Sequence, residues 1–191
     1  MKGINNACLI AIFNQWAAQP LPENILENWV AIDGKSLRYT VQKYQNNQQN
    51  FVSIVSAFCQ EQKLVFSLNK LESKKESEIH CAREIVKNLP FDGQVLTLDA
   101  LHCQKETLKL IRDTGHDYLV SVKKNQPTLY QELENIAGQS KPLSTNQTRE
   151  QSHGRHITRT LSVFPVNKFI KSNWPNPKRI CSGRTKGDPR S

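Results

Sequence analysis

Two aspartates carry the clearest chemical signal in this chain. Asp33, in VAIDG, and Asp99, in LTLDA, each follow a run of apolar residues where an expected strand meets a loop. Ligands of open α/β sheets gather at the carboxyl ends of strands, so neighbouring strands would set the two carboxylates side by side. Such a pair repels without a cation and suits Mg²⁺ or Mn²⁺, because hard cations favour carboxylate oxygen. In phosphoryl transfer two such ions, about 4 Å apart, activate the attacking oxygen and stabilise the leaving one. The plainer reading is that both are turn residues, since Asp before Gly is common in turns.

Basic side chains gather near the same features. Lys35 and Arg38 follow Asp33 at once, and Lys123 and Lys124 follow the expected fifth strand. His153, Arg155 and Arg159 crowd the segment EQSHGRHITR. All seven can meet a phosphate backbone, a contact that positions a nucleic acid without reading it. The alternative for each is a solvated face. Glu150 is a weak candidate for a third ligand, and Asp92, Asp113 and Asp117 read as surface turn residues. The dipeptides His80-Cys81 and His102-Cys103 do not make a zinc site, because adjacent residues on a helix do not converge on one metal.

The elements that must position these groups follow from periodicity. Leu9, Ile12, Phe13 and Trp16 give residues 7–18 an amphipathic helical stripe, ended by Pro20 and Pro22. A strand ending at Asp33 comes next, then a Gln/Asn-rich loop. FVSIVSAF (51–58) and KLVFSLNKL (63–71) form a hairpin. Residues 76–89 change to a helical period, and QVLTLDAL returns to β. A helix over about 103–114 stops at Gly115, DYLVSVKK (117–124) is β, and Asn125 is placed to cap a helix with Pro127 in its first turn. Residues 138–152 read as a loop, 156–166 as the last strand, and the final 20 residues as loosely ordered. Three strands followed by alternating helix and strand make a mixed α/β sheet.

Composition narrows the function classes. A chain of 191 residues fits one domain, or one with a small attachment. No apolar run is long enough for a membrane span, and the short run Ala7–Phe13 is a poor signal peptide. Five cysteines without a CxxC pair suit a reducing cytoplasm. The net charge is +9, with 9 basic and 1 acidic side chains in residues 151–191. A basic tail suggests nucleic acid or an anionic surface. The phosphate-binding patterns GxGxxG and GxxxxGK[ST] and the serine-nucleophile pattern GxSxG are all missing.

Five blocks in order carry a family resemblance. VAIDGKSLR (30–38) resembles the first-aspartate segment of ISAs1-type insertion-sequence transposases, the H-repeat-associated proteins of the IS4-like DDE group. KKESEI (74–79) resembles the family's lysine–asparagine–glutamate–isoleucine motif, with Ser77 in place of asparagine. LTLDALHCQKE (96–106) resembles the second-aspartate segment, and 118–130 and 150–160 resemble two further blocks. The resemblance implies an RNase H-like fold, incomplete at the C-terminus, with Asp33 and Asp99 as catalytic and metal-binding acids. It implies Mg²⁺ or Mn²⁺, hydrolysis at transposon ends and joining to target DNA. It divides the chain into an N-terminal helical remnant (1–28), a partial catalytic core (29–137) and a basic region opening the family's insertion (138–191).

The family's third acid is a glutamate in a downstream helix, so the chain is expected to be the middle of a transposase, with little activity alone. Expected partners are double-stranded DNA and copies of itself or of an intact transposase, in a bacterial cytoplasm. The runner-up is a non-catalytic DNA-binding remnant that competes with an intact transposase. A third reading is another metal-dependent nuclease of this fold, completed by Glu150 or Glu78. A fourth is a decayed product without function.

Overall fold

A computed structural model describes residues 6–17, 29–37, 52–71, 75–152 and 155–188. The chain divides into two compact units, 1–122 and 123–191. The division also separates charge. Residues 1–122 hold 13 basic and 13 acidic side chains, and residues 123–191 hold 13 and 4, so the second unit carries the whole excess.

The first unit is built on five strands: β1 (Trp29–Leu37), β2 (Val52–Cys59), β3 (Leu64–Leu71), β4 (Val95–Leu98) and β5 (Asp117–Val120). Their order in the sheet is β3-β2-β1-β4-β5. β1, β2 and β3 run antiparallel in sequence, while β4 and β5 lie parallel to β1. Helix α2 (Lys75–Lys87) links β3 to β4, and α3 (Lys105–Asp113) links β4 to β5. Parallel strands need such crossovers, which is why helical periods alternate with strands in the sequence after the hairpin. This is the mixed α/β sheet, with RNase H-like topology.

Alternation explains the core. Val30 and Ile32 of β1, Val55 and Ala57 of β2, and Leu96 of β4 are buried; so are Ala82, Ile85 and Val86 of α2 and Leu108 and Ile111 of α3. Gly115 ends α3 as expected, with φ +82°. His116 N–H donates to Ile111 O at 3.0 Å and Gly115 N–H to Arg112 O at 3.1 Å. That paired closure requires a left-handed residue, the conformation glycine adopts at least cost. Asp117 opens β5 in an ion pair with Arg112.

Helix α1 (Asn6–Ala17) sits differently from the expectation. Its stripe does not face inward: Leu9, Ile12 and Trp16 are more than half exposed. The helix is pinned to the edge of the sheet instead. Asn14 Nδ2 donates to Leu68 O at 3.0 Å, and Leu68 N–H donates to Asn14 Oδ1 at 2.8 Å.

His116 gives the first unit a pH dependence. It is buried, and its Nδ1 accepts the Gln94 backbone N–H at 3.3 Å. Burial pushes its pKa below 6.5, opposed by the Asp92 carboxylate. The folded value therefore lies under the unfolded one, so this contribution is complete above 6.5 and is lost as pH falls through the folded value. Urea unfolding between pH 7 and pH 5 should show wild type losing stability more steeply than His116→Asn, whose amide oxygen can accept the same N–H. Parallel profiles would show that His116 contributes nothing to the acid limb.

The second unit holds α4 (Pro127–Gln139), β6 (Ser144–Ser152), β7 (Arg155–Phe164), α5 (Lys168–Asn173) and β8 (Ile180–Asp188). The last three strands form an antiparallel sheet in the order β6-β7-β8. Two expectations are corrected here. Residues 144–152 are a strand rather than loop, and 180–188 are a strand within the supposedly loose tail. STNQTREQS contains no apolar side chain, so no alternation marks it. Full ladders to β7 hold both strands. Asn125 is not the cap of α4: Gln126 occupies that position without a side-chain cap bond, and Pro127 begins the helix. Asn167 caps α5 by accepting Ile170 N–H at 3.0 Å and reaches Glu132 of α4 with its amide.

Candidate active site

The sheet order answers the conditional question posed by the two aspartates. β1 and β4 are adjacent and parallel, with Ile32 opposite Leu98. Asp33 and Asp99 are the next residues on each chain, so they stand side by side where β4 leaves the sheet. Strand spacing is about 4.8 Å. β1 does not end at Asp33, as the sequence suggested; it runs on to Leu37 against β2. Both aspartates are exposed.

Asp99 is also the turn residue of the plainer reading. Its Oδ1 accepts the Leu101 N–H at 2.9 Å and caps the single 3₁₀ turn Ala100–His102. That bond fixes the carboxylate's direction rather than consuming it, since a carboxylate has further lone pairs.

Two further groups converge on this corner. Glu78, in the first half of α2, brings its carboxylate over Gly34. A Cβ added at Gly34 would lie 2.5 Å from Glu78 Oε1 and 2.6 Å from Cδ. His102 is 1% exposed, and its Nε2 lies 3.8 Å from Glu78 Oε1 and 3.9 Å from Asp99 Oδ1. Its Nδ1 has no hydrogen-bond partner. Burial pushes the His102 pKa down, against the pull of Asp99 and Asp33, which favours a neutral ring. Glu78 is raised, first by burial and then by the Asp99 and Asp33 charges. Arg83, further along α2, donates to Thr107 Oγ1 at 2.9 Å and Gln104 Oε1 at 3.0 Å. It thereby ties α2 to the segment just beyond His102.

The donor chemistry fits a hard divalent cation, since all three acids offer oxygen. Among the described residues, however, no three His, Cys, Asp or Glu side chains already form a ligand set. His80 and Cys81 lie within α2, the former exposed, and Cys103 is buried with its thiol pushed up to about 11. That protonated thiol is a poor metal ligand.

The basic candidates divide by location. Lys35 lies two residues beyond Asp33 on β1 and is exposed; two-residue spacing places them on one face. Arg38 and His153 fall outside the described residues. Lys123 and Lys124 are exposed and open the second unit. Arg155 begins β7, and Arg159 of the same strand is paired with Glu150. Glu150 thus belongs to the second sheet, occupied by an arginine. Sequence reasoning held Glu78 only as a fallback and weighed His102 only for zinc. The signal for Glu78 was its place in the KKESEI block.

Comparison with known proteins agrees with this architecture. The family model described as "Transposase DDE domain" matches residues 26–180. "Putative transposase YncI" of Escherichia coli O157:H7 is 31% identical over 189 residues, 95% of this chain and 47% of that protein. "H repeat-associated putative transposase YbfD" of Escherichia coli strain K12 is 34% identical over 146 residues, 72% of this chain and 54% of that protein. The chain thus spans about half the length of these curated relatives. In fold it is similar to piggyBac transposase, solved by cryo-EM as a synaptic complex with hairpin DNA. The TM-score is 0.50 with 12% identity, covering 90% of this chain and 35% of that one. With a family model matched over most of its length, the chain belongs to the transposase DDE domain family.

Proposed function

We propose that this chain supplies part of the catalytic core and DNA-binding surface of an ISAs1-type, IS4-like transposase, acting on transposon ends in a bacterial cytoplasm. The observation that carries the reading is the side-by-side placement of Asp33 and Asp99 at the ends of paired parallel segments. Mg²⁺ or Mn²⁺, when bound, supplies an activated oxygen nucleophile and neutralises charge on the phosphate. Asp33 and Asp99 are the groups that would hold it. Asp99 is pre-aimed by the Leu101 N–H, so little side-chain entropy is lost on engaging a ligand. Lys35, and Arg38 beyond it in sequence, would take phosphate oxygens near the acids.

The second unit fits the role of holding DNA. In the three-stranded sheet Arg149, Thr158 and Lys186 lie opposite one another, and Gln147, Thr160 and Arg184 form the next row on that face. A groove beside these rows is lined by Arg149, Glu150, Gln151, His156, Ile157 and Thr158, so an acid and an apolar side chain share it with the cations. The two rows themselves offer cations and hydroxyl donors, the chemistry of a phosphate backbone. Lys123 and Lys124, exposed in the same unit, would add phosphate contacts, as would His153 and Arg155 on their place in the sequence alone. Arg159 lies on the opposite face with Glu150. Assembly into homo-oligomers, or with a longer transposase, would bring further copies to the same DNA.

Nicking of a labelled transposon-end duplex by the purified chain, in Mn²⁺ or Mg²⁺ against EDTA, tests the catalytic reading. Cation-dependent nicks support it. Binding without nicks would favour the second reading, a DNA-binding protein that competes for ends, which the charge division independently suits. In either case the affinity should fall steeply with salt. If four phosphates are neutralised, raising salt from about 50 to 200 mM should weaken binding roughly 10²-fold. Fluorescence anisotropy across that range measures the slope, and a flat profile would remove the phosphate-backbone reading.

A further inference from the structure

Resting on the reading of Asp33 and Asp99 as cation-binding groups, we propose that Glu78 is a further carboxylate of that site, separate from the downstream glutamate that the family resemblance implies, held over Gly34 and aimed together with Asp99 by the buried imidazole of His102. The first observation is steric. The Glu78 carboxylate comes so near the β1 backbone that a Cβ at residue 34 would sit 2.5 Å from Oε1. Glycine, immediately after Asp33, is what admits it.

The second observation is the imidazole. A ring 1% exposed with an unpartnered Nδ1 is an unfavourable thing to bury. Its other nitrogen faces Glu78 and Asp99 at 3.8 and 3.9 Å, beyond hydrogen-bond distance to either. An N–H at Nε2 would face both carboxylates and could donate to whichever moves closer. His102 is therefore a positioning residue, not a ligand.

The third observation is electrostatic. Glu78 already lies within the field of both aspartates, which act on it as like charges. Without a cation, three such groups repel one another. Glu78, Asp33 and Asp99 would each find a divalent ion attractive where they now repel one another, and Asp33 and Asp99, which are exposed, have room to rotate toward it. The other glutamate weighed for this role, Glu150, is committed to Arg159 on the second sheet.

The test is Mn²⁺ titrated calorimetrically into the full chain and its variants, without DNA. Removing an outer-shell partner of a metal site costs ~10–100-fold in affinity, so loss of a direct ligand should cost at least that. Glu78→Gln is expected to weaken Mn²⁺ binding at least ~10-fold, as should Asp33→Asn and Asp99→Asn. Gly34→Ala keeps the glutamate but displaces its carboxylate, and should give the same loss. Because the displaced atoms are the free end of a flexible side chain, its urea midpoint should stay near wild type. Glu150→Gln should bind as wild type does. If both Asp variants lose Mn²⁺ while Glu78→Gln and Gly34→Ala retain it, Glu78 is not a ligand and the aspartate pair stands alone. If wild type binds no Mn²⁺, or all variants bind equally, the pair and the further carboxylate fall together.

Discussion

Asp99→Asn should lower cation-dependent nicking of a transposon-end duplex by at least ~10²-fold, with the fold unchanged. Removing one carboxylate from a cation site withdraws a ligand charge, and misplacement of reacting groups by 1 Å already costs about that much. Asparagine is the informative replacement because its amide oxygen can still accept the Leu101 N–H that Asp99 accepts at 2.9 Å. The 3₁₀ turn that carries His102 therefore keeps its cap. Alanine removes the charge and the cap together, adding about 1 kcal/mol of local destabilisation to the chemical effect. Nicking rates, cation titrations and urea midpoints on both variants separate the two contributions. If Asn nicks as wild type does while Ala fails, Asp99 is a structural cap and the plainer turn reading was sufficient.

Leu96→Ala should be the most damaging change to the first unit, at about 2–5 kcal/mol. Leu96 is fully buried on β4, opposite Val30 on one side and Tyr118 on the other. Tyr118 is half-buried, its phenol pushed up to about 12 chiefly by burial. Truncation on β4, which is flanked by β1 and β5, leaves a cavity that neither neighbour can fill without breaking its own register. Against a typical total of 5–15 kcal/mol, that loss leaves little margin. β4 is also the strand that delivers Asp99, so partial unfolding would release one acid from the other. A lowered urea midpoint with an unchanged slope would report the loss. Leu96→Ile, which conserves volume, should cost under about 1.5 kcal/mol.

The parts of the fold legible in the sequence were those where one face is dry. The hairpin of β2 and β3 and the helices α2 and α3 bury regular stripes, and their periods gave their positions to within a few residues. β6 escaped notice because its nine residues are polar on both faces and are held by backbone pairing and polar cross-strand contacts, which leave no apolar period. α1 shows the opposite error. Periodicity reveals that Leu9, Ile12 and Trp16 share a face, but not what covers it, and here they are exposed.

The site was legible to the same degree. Asp33 and Asp99 could be picked out as strand-end carboxylates, yet their adjacency depended on β1 and β4 being neighbours, a matter of tertiary order. Glu78 lies 45 residues from Asp33 in the chain. Only the crossing of α2 over the sheet brings it to Gly34. No local spacing encodes that approach.

The Asn14 clamp has a bearing on solubility. β3 lies at the edge of its sheet, and an edge strand with free N–H and C=O groups is a template for pairing with another molecule. By engaging both backbone groups of Leu68, the Asn14 amide occupies one rung of that template with a group that cannot propagate a ladder. The edge is thus closed by one side chain on a helix whose own apolar face is exposed. Loss of that amide would open a rung of the strand edge beside an apolar helix face that is already exposed, so raising protein concentration should promote self-association.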